Sequence, residues 1–335
     1  MLKISHSLPL MVLFLVGTFL VKAQNAETLR FNSSGEYKIL QLTDIHINLD
    51  EGIRVEGIET AGKVIDIEKP DLVVLTGDIA TDGNPASTYD AFEKLFKEKK
   101  LPWVVTFGNH DSSADMKRKE VAAYLARLKN CLNVKEDDTD GENNFAMPVY
   151  GKDNEQKALL YFMDSQEYST LKPLVGGWGW FTHNQVEWYR QKAAELKKEH
   201  NGKVLPALAF FHIPLPEYYA AWSNKKIKAI GTRKEKECAP EINTGMFAAM
   251  LECGDVMGTF VGHDHYNDYI GVHYGIALAY GRTTKYGKGR KHPLPGGRVI
   301  VLKEGQRGFT TWIREVTGKK LQESQYPESF LPKNK

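Results

Sequence analysis

The chain has 335 residues, of which 42% are hydrophobic and 26% charged, and its formal net charge is +2. Those proportions are ordinary for a globular protein and exclude a disordered or fibrous chain. So small a net charge supplies no electrostatic case for nucleic acid or an anionic membrane as a partner.

The predicted elements begin after an N-terminal segment of different character. Lys3 precedes an almost wholly apolar stretch from Leu8 to Val21, and Val21-Lys22-Ala23 ends it on a small residue. This pattern predicts a signal peptide over 1–23, with a secreted or periplasmic destination. The apolar run falls short of the ~20 residues that a membrane span needs. Strands are expected at Tyr37–Leu42, Asp71–Leu75 and Trp103–Phe107, with helices at about 57–68, 86–97 and 114–128 between and after them. Further strands are expected at Ala158–Met163, Leu205–Phe211, Val256–Val261, Ile276–Tyr280, Gly297–Leu302 and Phe309–Ile313, and helices at 182–200 and 245–252. Apolar strands with little polar alternation, joined by helices, imply largely parallel sheet covered on both faces. The expectation is one α/β catalytic domain over 30–316 with more than one sheet. The polar stretch 317–335, with its two prolines, is expected to form a loose tail. Three cysteines allow one disulfide, with Cys238 and Cys253 the favoured pair, and none has the spacing of a thiolate zinc site.

Five segments place metal-binding residue types directly after apolar strands. They are Asp44-Ile45-His46, Gly77-Asp78, Gly108-Asn109-His110-Asp111, Phe211-His212-Ile213-Pro214 and Gly262-His263-Asp264-His265. Ligands of α/β sheets bind outside the carboxyl ends of strands, so these five ends should converge on one crevice. A lone Asp after a strand is usually a turn or cap residue, and a lone His behind one is usually packed in the core. The argument therefore rests on the joint pattern, which holds five of the chain's ten histidines. Two metal ions ~3.5–4 Å apart need a bridging oxygen, which Asp78 can supply, with imidazoles and carboxylates around it. On an extended chain, alternate side chains share a face, so Asp44 and His46, and likewise His263 and His265, can grip one ion. Sulfur-free, imidazole-rich ligation suits zinc, iron or manganese better than calcium or magnesium. The glycines at 77, 108 and 262 fit tight turns where a side chain would obstruct the crevice.

These motifs, in this order, resemble the signature of the calcineurin-like metallophosphoesterase superfamily over residues 37 to 303. The wider segments around His212 and His263 resemble its purple-acid-phosphatase-like branch. The resemblance implies a four-layer α/β/β/α sandwich of two mixed sheets flanked by helices. It implies one ion held by Asp44, His46 and His265, another by Asn109, His212 and His263, and Asp78 bridging them. It implies that His110 faces the substrate phosphate as the group that stabilises or protonates the leaving oxygen, oriented by Asp111. Purple members carry an iron-binding Tyr three residues after the bridging Asp; Thr81 stands there instead, which implies a non-purple centre. The expected activity is hydrolysis of small phosphate esters by metal-activated hydroxide, with a phosphomonoesterase preferred over a phosphodiesterase of nucleotides or lipid headgroups. A non-catalytic extracellular binding protein on the same fold is the alternative from a different class. Outside the motifs, the aromatic run Gly176–Phe181 can form a stacking surface or a core staple. Tyr218, Tyr219 and Trp222 can line the same mouth, Arg282 and Lys285 can meet phosphate, and Asp164 can support the site from behind.

Overall fold

A computed structural model describes residues 28–134, 139–287 and 292–331. The predicted signal segment 1–23 therefore lies outside the described residues. One sheet has the strand order β12-β11-β10-β1-β2-β3. Its strands are β1 (Glu36–Leu42), β2 (Leu72–Thr76), β3 (Trp103–Thr106), β10 (Gly296–Lys303), β11 (Phe309–Glu315) and β12 (Lys320–Tyr326). The other has the order β4-β5-β6-β7-β9-β8, from β4 (Phe145–Tyr150), β5 (Gln156–Phe162), β6 (Ala207–Phe210), β7 (Val256–Val261), β8 (Ile270–His273) and β9 (Ile276–Tyr280). Both sheets are mixed. β1, β2 and β3 run parallel, as do β5, β6, β7 and β9, and antiparallel strands complete each sheet.

The four layers follow from alternation along strands that are apolar on both faces. Leu72 and Val74 of β2 join Leu208 and Phe210 of β6 in the core between the sheets. Their neighbours Val73 and Leu75 turn outward onto helices α1 (Glu56–Glu68), α2 (Pro85–Lys99) and α3 (Arg118–Leu125). On the other side, Ala207 and Ala209 face α4 (His183–Glu199) and the helix Met246–Cys253. Among the described residues no helix is long and apolar enough to cross a membrane.

The structure corrects three expectations. Most of the C-terminal stretch is built into the fold: β12 pairs antiparallel with β11, Tyr326 stacks on Phe309 at 5.1 Å, and Phe330 is buried. Its polar composition conceals this, because an edge strand needs only one buried face, here that of Ser324 and Tyr326. Cys238 and Cys253 do not pair; all three cysteines are free. The helix expected over 114–128 shortens to α3, because Ser113 turns the chain back by bonding the Met116 N–H and Glu120 accepts from the Lys117 N–H at its start.

Candidate metal centre

Three parallel strands of one sheet and two of the other end at the same edge of the sandwich. Asp44 and His46 follow β1, Asp78 follows β2, and Asn109, His110 and Asp111 follow β3. His212 follows β6, and His263 and His265 follow β7. Cross-sheet hydrogen bonds hold these ends together. His212 Nδ1 bonds the Thr76 carbonyl at 2.8 Å, and the His263 N–H donates to the Asp44 carboxylate at 3.1 Å.

Two clusters result, one of Asp44, His46, Asp78 and His265, the other of Asp78, His212 and His263, so Asp78 belongs to both. In the first, His46 Nε2 lies 3.1 Å from His265 Nε2 and 3.5 Å from Asp78 Oδ2, and His265 Nε2 lies 3.4 Å from Asp44 Oδ1. In the second, His212 Nε2 lies 3.4 Å from Asp78 Oδ2 and 3.2 Å from His263 Nδ1. Donors placed ~2.0–2.2 Å from an ion stand roughly 3.0–3.5 Å from one another, so both clusters fit a cation. Asp78 Oδ2 is the atom common to the two, while Oδ1 accepts the His110 N–H at 2.9 Å. Asn109 is buried; its Nδ2 donates to the Tyr168 hydroxyl at 3.2 Å, and its Oδ1 has no hydrogen-bond partner among the described residues. A buried carbonyl oxygen left without a partner is the state expected of a ligand atom.

The grip does not come from strand alternation. Asp44, His46, Asp78 and His263 have φ of 53°, 54°, 54° and 77°. Each of these four thus sits in the left-handed region, which non-glycine residues enter at a cost. The turns also need their glycines: a Cβ on Gly108 would meet Asp78 Oδ1 at 2.2 Å, and one on Gly262 would meet Thr43 Oγ1 at 2.0 Å.

Electrostatics match the ligand roles. Burial alone would raise the Asp44 and Asp78 carboxyls, but neighbouring imidazoles, His265 for Asp44 and His212 for Asp78, hold both well below the usual carboxylate range. Burial pushes His46 and His263 down to about 3, so both are neutral near pH 7, as ligands must be. His212 is the exception. Burial opposes its charge, yet the Asp78 carboxylate raises it to about 9, so in the ion-free centre it carries a proton.

Supporting groups surround the clusters. Thr81 Oγ1 bonds His46 Nδ1 at 2.8 Å and so orients the ring whose Nε2 enters the first cluster. Trp178 packs edge-to-face on His263 at 4.2 Å, and Tyr168 stacks on Trp178 at 5.4 Å. The aromatic run is thus both near the centre and a staple, since Phe181 packs on Phe211 in the core. Asp164 holds Arg118 with two bonds of 3.0 and 2.5 Å, and Arg118 donates to the Gly108 carbonyl at 2.6 Å. The sequence marks Tyr168 only by its proximity to the aromatic run.

His110 is half-buried, and its ring lies 5.3 Å edge-on from that of His46. Asp111 does not orient it. The Asp111 carboxylate accepts the N–H groups of Asp78, Ile79, Ala80 and Gly108 at 2.7–2.9 Å. It is a clamp on the two turns that carry Asp78 and Asn109. Tyr218 is buried with its hydroxyl on Thr259, Trp222 packs on Tyr269, and Arg282 pairs with Asp268 and Glu315 away from the clusters. Tyr219 is exposed beneath Arg233. Lys285 does reach the centre, with Nζ 3.5 Å from His265 Nε2.

The profile of a family described as calcineurin-like phosphoesterase matches residues 37–267. The chain is 33% identical over 318 residues to probable inactive purple acid phosphatase 29 of Arabidopsis thaliana, a match covering 85% of this chain and 81% of that one. It is 31% identical over 275 residues to phosphatase DCR2 of Saccharomyces cerevisiae, covering 73% of this chain and 46% of that protein. A dimetal phosphatase from Danio rerio superposes with a TM-score of 0.55 at 12% identity, covering 86% of this chain and 98% of the other. At that identity the likeness establishes the sandwich fold.

Proposed function

The chain belongs to the calcineurin-like phosphoesterase family, and from that premise we propose that it is an exported two-metal hydrolase of phosphate monoesters. The observation that carries the reading is Asp78 Oδ2, one carboxylate oxygen common to two clusters of cation-binding geometry. Asp44, His46, Asp78 and His265 would hold one ion, and Asp78, Asn109, His212 and His263 the other. When bound, such a pair neutralises phosphoryl oxygens and acidifies a nucleophilic water toward ~7. Manganese, iron and zinc suit this donor set, and Thr81, committed to His46, leaves no tyrosinate at its position to colour a ferric centre.

The chain's own groups do the rest. Asp78 and the imidazoles around it would place the ions, and through them the phosphoryl group. His110 stands beside the first cluster, with its ring in no hydrogen bond among the described residues. As a water oxygen bonds to phosphorus and the P–O ester bond breaks, His110 gives its proton to the departing oxygen, yielding the alcohol and phosphate. Proton transfer of this kind is worth ~10²–10⁴ in rate.

The plant relative is described as probable inactive, which names the competing reading: a binding protein on the same fold. The full ligand set in this chain favours the hydrolase. Metal analysis coupled to a panel of aryl mono- and diesters, with manganese, zinc or iron added, tests it. The expected result is two ions per chain and turnover of monoesters ahead of diesters. Two bound ions with no turnover on any ester would establish the binding protein instead. Export rests on the N-terminal sequence, and N-terminal sequencing of the mature protein should begin at Gln24.

A further inference from the structure

Lys285 follows β9, and only 6% of it is exposed. A buried lysine is ordinarily paired, because an uncompensated charge in a low-dielectric surround is costly. Here the contact of Nζ is His265 Nε2, a nitrogen of the first cluster. Among the described residues no carboxylate forms an ion pair with Lys285. The nearby acids are committed elsewhere: Asp44 to His265 and the His263 N–H, and Glu235 to the Tyr266 N–H.

A second cation adjoins the same cluster. Arg54 donates to the His46 carbonyl at 3.2 Å, also without an ion-pair partner among the described residues, and its charge repels that of Lys285. The carboxylates of Asp44, Asp78 and Glu235 act on Lys285 as neighbouring charges but form no ion pair with it among the described residues, so an anion received between the two cations is favourable. The charges of Asp44 and Asp78 are already spent on the imidazoles and on the cations that the clusters fit.

We propose that Lys285, reinforced by Arg54, reads the charge of the phosphoryl group and selects dianionic phosphate monoesters over monoanionic diesters. Its Nζ donates to the oxygen that carries charge in a monoester and bears carbon in a diester. A charge-assisted hydrogen bond is lost on the diester, and the lysine is left buried against an ester oxygen. The proposal rests on the hydrolase reading for its substrate, but its binding prediction stands apart from turnover.

The test is calorimetry on the metal-loaded protein at pH 7.5, with inorganic phosphate and dimethyl phosphate as probes. Lys285→Met should weaken phosphate binding ~10–100-fold, the range of a charge-assisted hydrogen bond, and dimethyl phosphate by no more than about threefold. Lys285→Arg should restore most of the phosphate affinity, and Arg54→Met should weaken it several-fold. Unchanged phosphate binding, equal weakening of both probes, or loss of metal from Lys285→Met would overturn the proposal. If Lys285→Met does not fold, Lys285→Gln gives the same readout. Kinetics separate the two readings. For 4-nitrophenyl phosphate, kcat/KM should fall at least about 30-fold in Lys285→Met, and for methyl 4-nitrophenyl phosphate less than about threefold. A wild type that binds phosphate through Lys285 yet hydrolyses neither ester sinks the hydrolase reading alone. A wild type that hydrolyses both esters, with their ratio unchanged in Lys285→Met, sinks the lysine proposal alone.

Discussion

Asp78 carries more of the centre than any other residue. Its Oδ2 serves both clusters and its Oδ1 holds the His110 backbone. Asp78→Asn keeps the shape but removes the charge; it is expected to bind at most one ion by elemental analysis and to lose at least ~10³ in kcat/KM. His110 belongs to a different class, a group beside the clusters and not part of them. His110→Ala should keep both ions while kcat falls ~10²–10⁴-fold on an alkyl ester and much less on a nitrophenyl ester, whose leaving oxygen needs no proton. Tyr168 acts one step further out, accepting from Asn109 Nδ2 so that Oδ1 stays free to ligate. Tyr168→Phe should weaken the second ion ~10–100-fold in a competitive chelator titration, with the first ion unaffected.

At the scale of elements, the turns after β2 and β3 are one device. Four backbone N–H groups from the two turns converge on the buried carboxylate of Asp111, which lets Gly108 approach Asp78 closely. Asn in its place would offer one acceptor oxygen and turn an NH₂ toward N–H groups. Asp111→Asn is therefore expected to destabilise the fold by about 2–4 kcal/mol, visible as a lower Tm, and to lower metal affinity as well. Most of these elements are legible in the sequence, because strands buried on both faces read as plain apolar runs. Among the strands, β4, β8 and β12 escape, β8 because its four residues are too few to read as an apolar run. β4 carries Pro148 and half-exposed side chains, and β12 shows only Ser324 and Tyr326 to the core. The role of Asp111 escapes too, because a sequence shows it beside His110 and cannot show the amides of 78–80 folding onto it.

Across the whole molecule, two sheets each deliver part of a site that neither completes. In the ion-free protein, the protonated His212 of one sheet pairs with Asp78 of the other. Because the folded value, about 9, lies above the ordinary histidine value, this pair contributes stability below about pH 6.5 and loses it as pH rises toward 9. Chelator-treated protein should therefore lose Tm over that window. Metal-loaded protein should not, since a ligating His212 carries no proton to lose, and its Tm should stand higher throughout. The candidate donors are legible along the chain, because strand-end motifs of Asp, Asn and His state their chemistry in their residue types and spacing. The α/β class is legible as well, because burial on both faces leaves an unbroken apolar run. Packing of the layers is what makes Asp78 Oδ2 common to both clusters, turns Asp111 to the backbone, and sets Lys285 beside His265 with no ion-pair partner among the described residues. Those facts are distances between segments from different sheets, set by how the layers pack and invisible to any pattern along one chain.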